Sequence, residues 1–342
     1  MPEPSRLPAR AAIREITIKG FRGIEHRELS FIGPHDRAND FVVLAGPNGS
    51  GKTTVLEACL IVAQHGHLLD DLSSRGSNPD HDGDYRITAI LETADLQMRS
   101  EYAPGRHSHR KEVMGRTALT DPFDAPCAYF SSWRAPLLVG PLPITAGKRG
   151  RRPAEREVNR LRIVKQYLIN ARAHEALGGA SSGTNGTPGG VSRYQALIRV
   201  LNDAWEKFHP GACQQFAVQA VTDEPDAGFD VFLVRSDGKR VPLDALSSGE
   251  LELFNFVAWM LITKFDGGII CIDEPELHLD PQWHVLMMQL LRRLQPNAQF
   301  IVATHSPAIY DAAYSFQRHF LVSPGDPRAR AWHLSDAQVA AS

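Results

Sequence analysis

The sequence predicts an α/β fold built on a phosphate-binding strand, loop and helix, with an antiparallel β subdomain and a short helical insertion. Three observations carry this. Gly46-Pro47-Asn48-Gly49-Ser50-Gly51-Lys52-Thr53 fits the pattern G-x-x-x-x-G-K-[ST] at every fixed position. A second apolar run, Ile269-Ile270-Cys271-Ile272, ends in the acids Asp273 and Glu274. Between these stand two segments of helical periodicity, over 155–177 and 192–208.

The elements follow in order. Ile13 to Ile18 alternates apolar and polar residues like an edge strand, Gly20 to Ile24 is a turn, and Glu28 to Ile32 is a second strand. The apolar run Phe41 to Ala45 is a buried strand that delivers the glycine-rich loop, and the helix after it, opening at Thr54, runs to about Gln64. Residues 66–84 are polar and read as a loop, while Tyr85 to Glu92 and Leu96 to Tyr102 form a hairpin and Cys127 to Phe130 a further strand. The segment Glu155 to Leu177 places Val158, Leu161, Val164, Leu168 and Ala171 on one face. It allows about three heptads, too few for a long coiled-coil arm. The Gly/Ser/Thr run from Gly178 to Gly190 is expected to be mobile. A second helix from Ser192 to Phe208 carries Tyr194, Leu197, Ile198, Leu201, Trp205 and Phe208 on one side. Phe216 to Val221 and Phe229 to Val234 read as strands, and Leu251 to Phe265 as an amphipathic helix. The division that follows is an N-terminal part over 1–145, the helical insertion over 146–212, and a C-terminal part over 213–342.

Composition narrows the function. The chain has 342 residues and a net charge of −2, so no global basic field draws it onto nucleic acid and a DNA contact needs a local patch. Two basic stretches, Arg106 to Lys111 and Lys148 to Arg152, read as loops, either solvated or offered to DNA; they lack interleaved aromatics. Cys59, Cys127, Cys213 and Cys271 are scattered without a C-x-x-C pair, which suits a reducing cytoplasm and excludes a cysteine-based zinc site. His65/His67 and His107/His109 lack further ligands nearby and read against a metal site. The start Met1-Pro2-Glu3-Pro4-Ser5 does not read as a signal peptide, and no apolar run is long enough to span a bilayer, so a soluble cytoplasmic protein is expected.

The phosphate loop implies a nucleoside triphosphate. Its glycines let backbone N–H groups turn inward, and the helix N-terminus adds partial positive charge. Lys52 is expected to reach the β- and γ-phosphates, and Thr53 to hold Mg²⁺ with Asp273, the latter through water. Glu274 is placed to polarise the attacking water. Leu246-Ser247-Ser248-Gly249-Glu250 alone is a helix N-cap.

In this order, however, the motifs resemble those of the ABC-type ATPases. Asp273-Glu274-Pro275-Glu276-Leu277-His278-Leu279-Asp280-Pro281, with Thr304-His305-Ser306-Pro307 and the opening Ile16 to Ile24, is similar to the OLD/RecF/SMC-related group. Within that group it looks most like the OLD-like ATPases of bacterial defence. The resemblance covers roughly 13–65, 127–134 and 240–310. It implies an ATP- and Mg²⁺-dependent head that forms a head-to-tail homodimer. Ser247, Ser248, Gly249 and Glu250 would then cap the nucleotide of the other copy, Asp280 would mark the loop that crosses the interface, and His305 would be the switch histidine at the γ-phosphate. It also implies control of an effector in trans, a nuclease or toxin, in anti-phage defence or DNA surveillance. Three departures stand out. Ser248 replaces a usual glycine. The Q-loop is unclear, with Gln97 a weak candidate and the Ser131 to Arg134 turn a better one. After Ser306 the sequence offers no space for a Toprim nuclease domain, so cleavage is expected of a partner. A RecF-like ATPase that binds DNA directly is the alternative. The nucleotide subunit of a membrane transporter fits less well, given the large middle insertion.

Overall fold

The computed structural model describes residues 11–69, 85–93, 97–103, 106–113, 116–119, 125–134, 137–145, 159–177, 192–224, 227–263 and 267–322. In chain order the strands and helices are β1 (Ala12–Phe21), β2 (Ile24–Ser30), β3 (Phe41–Ala45), α1 (Lys52–Val62), β4 (Arg86–Glu92), β5 (Gln97–Ala103), β6 (Arg106–Val113), β7 (Arg116–Leu119) and β8 (Cys127–Phe130). They continue with α2 (Arg160–Ala176), α3 (Arg193–Phe208), β9 (Gln215–Ala220), β10 (Phe229–Val234), β11 (Arg240–Pro242) and α4 (Ser248–Thr263). The last are β12 (Ile269–Asp273), α5 (Trp283–Leu294), β13 (Gln299–Thr304), α6 (Pro307–Ala312) and β14 (Arg318–Phe320). They divide into two compact units. The first holds residues 1–133, 265–277 and 295–342, the second 134–264 and 278–294. The second unit is therefore wider than the expected 146–212 insertion and takes in β9, β10, β11, α4 and α5.

The first unit has two sheets. One is five-stranded in the order β14-β3-β13-β12-β8, with every pair parallel. Its central strands are continuous apolar runs, buried along their whole length, as expected of strands covered on both faces. The other is antiparallel and six-stranded, β2-β1-β4-β5-β6-β7. Helix α1 packs against β1, β4 and β5 of the antiparallel sheet and against β12 and β13 of the parallel one. Its run Val55 to Val62 is buried on all sides, which is why its sequence shows no polar face.

One sequence expectation changes here. The basic stretch Arg106 to Lys111 is not a loop but the body of β6, paired with β5 and β7. Its residues have no apolar alternation, and the partner strands on either side impose the extended backbone. The second basic stretch, 148–152, lies outside the described residues, as does the Gly178 to Gly190 run. The helix expected from Glu155 is described from Arg160 onward, where the Asn159 side chain accepts a hydrogen bond from the Arg162 N–H and caps it.

A buried glutamine fastens the base of the first unit. Gln299 is fully buried; its Oε1 accepts from the Ile13 N–H at 2.7 Å, and its Nε2 donates to the carbonyls of Ile13 and Asn39, both at 2.9 Å. Gln299→Ala leaves three buried backbone groups without that partner, so a loss of about 2–4 kcal/mol is expected in chemical denaturation. A loss below about 0.5 kcal/mol would show that water replaces the amide.

The second unit packs a three-stranded antiparallel sheet, β11-β10-β9, with α2, α3, α4 and α5. Helix α4 is buried from Leu251 to Met260. Helix α3 is amphipathic and buries Tyr194, Leu201, Ala204, Trp205 and Phe208. Strand β9 is an edge, and α3 closes it with side chains: the Phe216 N–H donates to Asn202 Oδ1 at 2.7 Å and the Val218 N–H to the Tyr194 hydroxyl at 2.9 Å. Lys165 of α2 is completely buried and pairs with Asp230 at 2.7 Å and Asp244 at 3.2 Å, while also donating to the Gly140 carbonyl at 2.8 Å. Burial pushes the Asp230 carboxyl above its ordinary range, against the pull of Lys165.

Candidate nucleotide-binding site

The phosphate loop lies between β3 and α1 in the first unit. Gly51 is the N-cap of α1 with φ 90°, a left-handed conformation that favours glycine. The loop and the start of α1, from Asn48 to Thr54, line a cavity of about 540 Å³ together with residues 22–27, Glu274, His305, Leu321 and Val322. Gly46 and Pro47 turn their carbonyls onto Lys52, whose Nζ donates to them at 2.9 and 3.1 Å. Burial lowers the Lys52 pKa, and the nearby carboxylates of Asp273, Glu274 and Glu276 work the other way. The Ser50 hydroxyl is buried in the loop without a hydrogen-bond partner. An orphaned hydroxyl, a lysine and a helix N-terminus around one cradle fit a polyphosphate.

The acids come from the end of β12. The Thr53 hydroxyl donates to Asp273 Oδ2 at 2.9 Å, so the two groups expected to hold Mg²⁺ face each other. Hydroxyl and carboxylate oxygens are the hard donors this ion takes. Glu274 follows in a left-handed conformation, φ 51°, uncommon for a residue with a side chain. Its backbone is held there: the Glu274 N–H donates to the Ala303 carbonyl at 2.8 Å, and its own carbonyl accepts from the Leu277 N–H at 3.0 Å. His305, just past the end of β13, places Nε2 3.6 Å from Glu274 Oε1. Burial, then the positive charge of Lys52, lower the His305 pKa below its ordinary value of 6.5, so the ring is neutral at pH 7.

Thus the structure brings together Lys52, Thr53, Asp273, Glu274 and His305. The remaining expected residues belong to the second unit. Ser247 caps α4, which begins at Ser248 rather than at Leu251. A reciprocal box closes the cap: the Glu250 N–H donates to the Ser247 hydroxyl at 3.3 Å, while Ser247 N and Oγ donate to Glu250 Oε2 at 2.9 and 2.8 Å. Gly249 has a steric reason to be glycine, since a Cβ there would stand 2.5 Å from the His278 carbonyl oxygen. Ser247 and Ser248 are exposed in their own unit. Asp280 is exposed too, and its Oδ1 accepts from the Gln282 N–H at 2.9 Å in the turn before α5.

Of the two Q-loop candidates, Gln97 opens β5 opposite Glu92, whereas Arg134 pairs with the buried Glu252 of α4 and lies 5.0 Å over the Phe256 ring. Among the described residues no group of three potential metal-ligating side chains occurs, and His65 Nε2 donates to the Ala125 carbonyl at 2.8 Å. Two residues were not singled out from sequence. Arg22, in the tight turn between β1 and β2, forms an ion pair with Glu57 of α1 and lines the cavity. Glu276 accepts hydrogen bonds from the end of β13. The signal for Glu276 was present as the third acid of Asp273-Glu274-Pro275-Glu276; Arg22 left only a Gly-flanked turn.

Comparison with known proteins places this geometry. Residues 160–311 match a family described as AAA domain, putative AbiEii toxin, Type IV TA system, and residues 15–101 match a family described as AAA domain. The Septu protein PtuA of Bacillus thuringiensis is 36% identical over 98 residues, covering 25% of this chain and 24% of that protein. The Retron Vc95 probable ATPase of Vibrio cholerae serotype O1 biovar El Tor is 35% identical over 95 residues, covering 25% of this chain and 18% of that protein. The matched stretches thus span a quarter or less of these relatives' own length. Among solved structures, an Smc head bound to the C-winged helix domain of ScpA aligns with TM-score 0.51 and 17% identity, over 88% of this chain and 92% of that one. A second Smc head, bound to the C-terminal domain of ScpA derived from Pyrococcus furiosus, aligns with TM-score 0.50 and 15% identity, over 89% and 92%. The chain is an ATPase with AAA-type domains on a fold similar to that of Smc heads. In this ATPase, α1 packs against strands of both sheets of the first unit. Among the described residues, no helix of this ATPase is long and apolar enough to cross a membrane.

Proposed function

We propose that this ATPase is a switch that closes as a head-to-tail homodimer on two MgATP molecules and controls an effector in trans, a nuclease or toxin, in cytoplasmic anti-phage defence. The observation that carries the reading is the division of labour. Lys52, Thr53, Glu274 and His305 stand around one cavity, with Asp273 bonded to Thr53, while Ser247 and Ser248 are exposed at a helix N-terminus, suited to an anion brought by another molecule. The relatives named for Septu and retron systems support the defence setting.

In this mechanism Lys52 releases the Gly46 and Pro47 carbonyls and binds the β- and γ-phosphates, with the Ser50 hydroxyl and the N–H groups of the loop beside it. Thr53 and Asp273 would hold Mg²⁺, which would supply charge neutralisation at the phosphates when bound. Glu274 accepts a proton from the attacking water, and neutral His305 donates a hydrogen bond to the γ-phosphate. Ser247, Ser248 and Gly249 of a second copy complete the site, with Asp280 at the interface. Hydrolysis then reopens the pair, a two-state element biased by the γ-phosphate.

Glu274→Gln tests this. Nucleotide binding should persist, turnover should fall by about 10²–10⁴-fold, and light scattering with MgATP should give twice the protomer mass. If the mass with MgATP equals the mass without nucleotide, the dimer mechanism is wrong.

A further inference from the structure

The turn after Glu274 carries a carboxylate that the mechanism above does not use. Both oxygens of Glu276 are engaged by the end of β13: Oε1 accepts from the His305 N–H at 2.5 Å and Oε2 from the Thr304 hydroxyl at 2.8 Å. Thr304 is fully buried, and its hydroxyl in turn accepts from the Ser306 N–H at 2.9 Å. Ser306 caps α6 by accepting from the Ile309 N–H at 3.4 Å. The turn and the strand end are therefore joined twice, once through the Glu274 N–H on the Ala303 carbonyl and once through Glu276 on Thr304 and His305. The residue between these two joints is Pro275, whose ring restricts the turn further.

We propose that Glu276 is a positioning residue for hydrolysis: its carboxylate pins the backbone of His305 and so fixes where that ring stands against Glu274. The inference rests on the reading that Glu274 and His305 act on the γ-phosphate. The chemistry requires a carboxylate. Two donors, one N–H and one hydroxyl, converge on it, and its two acceptor oxygens take one each. Glutamine keeps one acceptor and turns its NH₂ toward the second donor. A charged acceptor also makes the shorter, stronger bonds that hold a loop in one place. Glu276 touches neither substrate nor water in this role; it acts through His305. Without it, His305 loses its fixed place relative to the Glu274 carboxylate, 3.6 Å away.

The experiment is a double-mutant cycle on the full chain, read as MgATP turnover and as nucleotide affinity by titration calorimetry. Glu276→Ala should lower turnover by about tenfold or more while MgATP affinity stays within about threefold, the split expected when alignment rather than binding is lost. Glu276→Gln should recover part of the loss. Thr304→Val removes one of the two anchors without changing charge, so it should give a smaller loss of the same kind and provides the test if Glu276→Ala fails to fold. In a His305→Ala background, Glu276→Ala or Thr304→Val should cost little more, because the residue through which they act is gone. Full, additive losses in that background would overturn the inference and leave the switch reading intact. Unchanged turnover in His305→Ala alone would overturn both.

Discussion

Lys52→Met should remove measurable MgATP binding at concentrations that saturate the parent protein and lower turnover by about 10²–10³-fold, the usual effect of losing one aimed donor at developing negative charge. Methionine is the informative substitution because it keeps the unbranched stem that fills the buried position. Only the ammonium is lost. That group is poised between two demands. It holds the Gly46 and Pro47 carbonyls, and the carboxylates of Asp273, Glu274 and Glu276 oppose the lowering of its pKa by burial. Phosphates are stronger acceptors than carbonyls, so a nucleotide takes the ammonium over without a new ion pair having to be assembled. Calorimetric titration of both proteins with MgATP is the measurement. An affinity within about threefold of the parent would mean that the backbone N–H groups of the loop carry the phosphates alone.

The largest expected effect on stability lies in the second unit. Lys165→Met breaks a fully buried pair and leaves Asp230 without its ammonium, a change expected to cost about 3–5 kcal/mol in unfolding free energy at neutral pH. Its pH dependence follows from the direction of the Asp230 shift. The folded-state pKa of Asp230 is already raised by burial, and removal of Lys165 raises it further. A carboxyl with a raised folded pKa is most favourable protonated, so its contribution is fully present below the unfolded value of about 4 and is lost as pH rises through the folded pKa. The penalty of Lys165→Met should therefore shrink as pH is lowered toward 4, seen as denaturation curves of parent and variant drawing together. A penalty that stays the same or grows on acidification would show that the loss of Asp230's ammonium partner is not its source.

What sequence made legible in the site follows from how each residue works. Lys52, Thr53, Asp273 and Glu274 sit at fixed offsets from the ends of apolar strands, and those offsets are local, so the motif reveals them without any three-dimensional information. His305 was legible for the same reason, at the end of the run Gln299 to Thr304. Glu276 and Gln299 were not, because their roles are set by groups distant along the chain: Thr304 and His305 for one, Ile13 and Asn39 for the other. Nothing in the residue type at 299 separates a polar strand end from a buried crossbolt. In the fold, the hairpin of β4 and β5 was read correctly, and the alternating run Ile13 to Ile18 is a strand but not the expected edge: β1 lies between β2 and β4, where its polar positions are paired on both sides. The failure at β6 has a definite cause. The stretch Arg-His-Ser-His-Arg-Lys-Glu-Val is polar at every position before its last, and it is extended because β5 and β7 pair with both of its edges. Likewise Lys165 falls on the apolar stripe of α2, four residues after Leu161 and three before Leu168, so the helical period places it inside, but its partners Asp230 and Asp244 lie far away in sequence and are not legible from it.

The way α3 seals β9 has a bearing on how this insertion can be exchanged or trimmed. Tyr194 and Asn202 occupy the amide groups that an outside strand would need for pairing. Cutting out the helix while keeping the sheet would leave a sticky border able to recruit other chains into fibrils. Helix and sheet are thus inherited, transplanted or lost together: chimaeras that take Ser192 to Pro242 as one cassette should remain dispersed, whereas those that cut between Phe208 and Gln215 should precipitate.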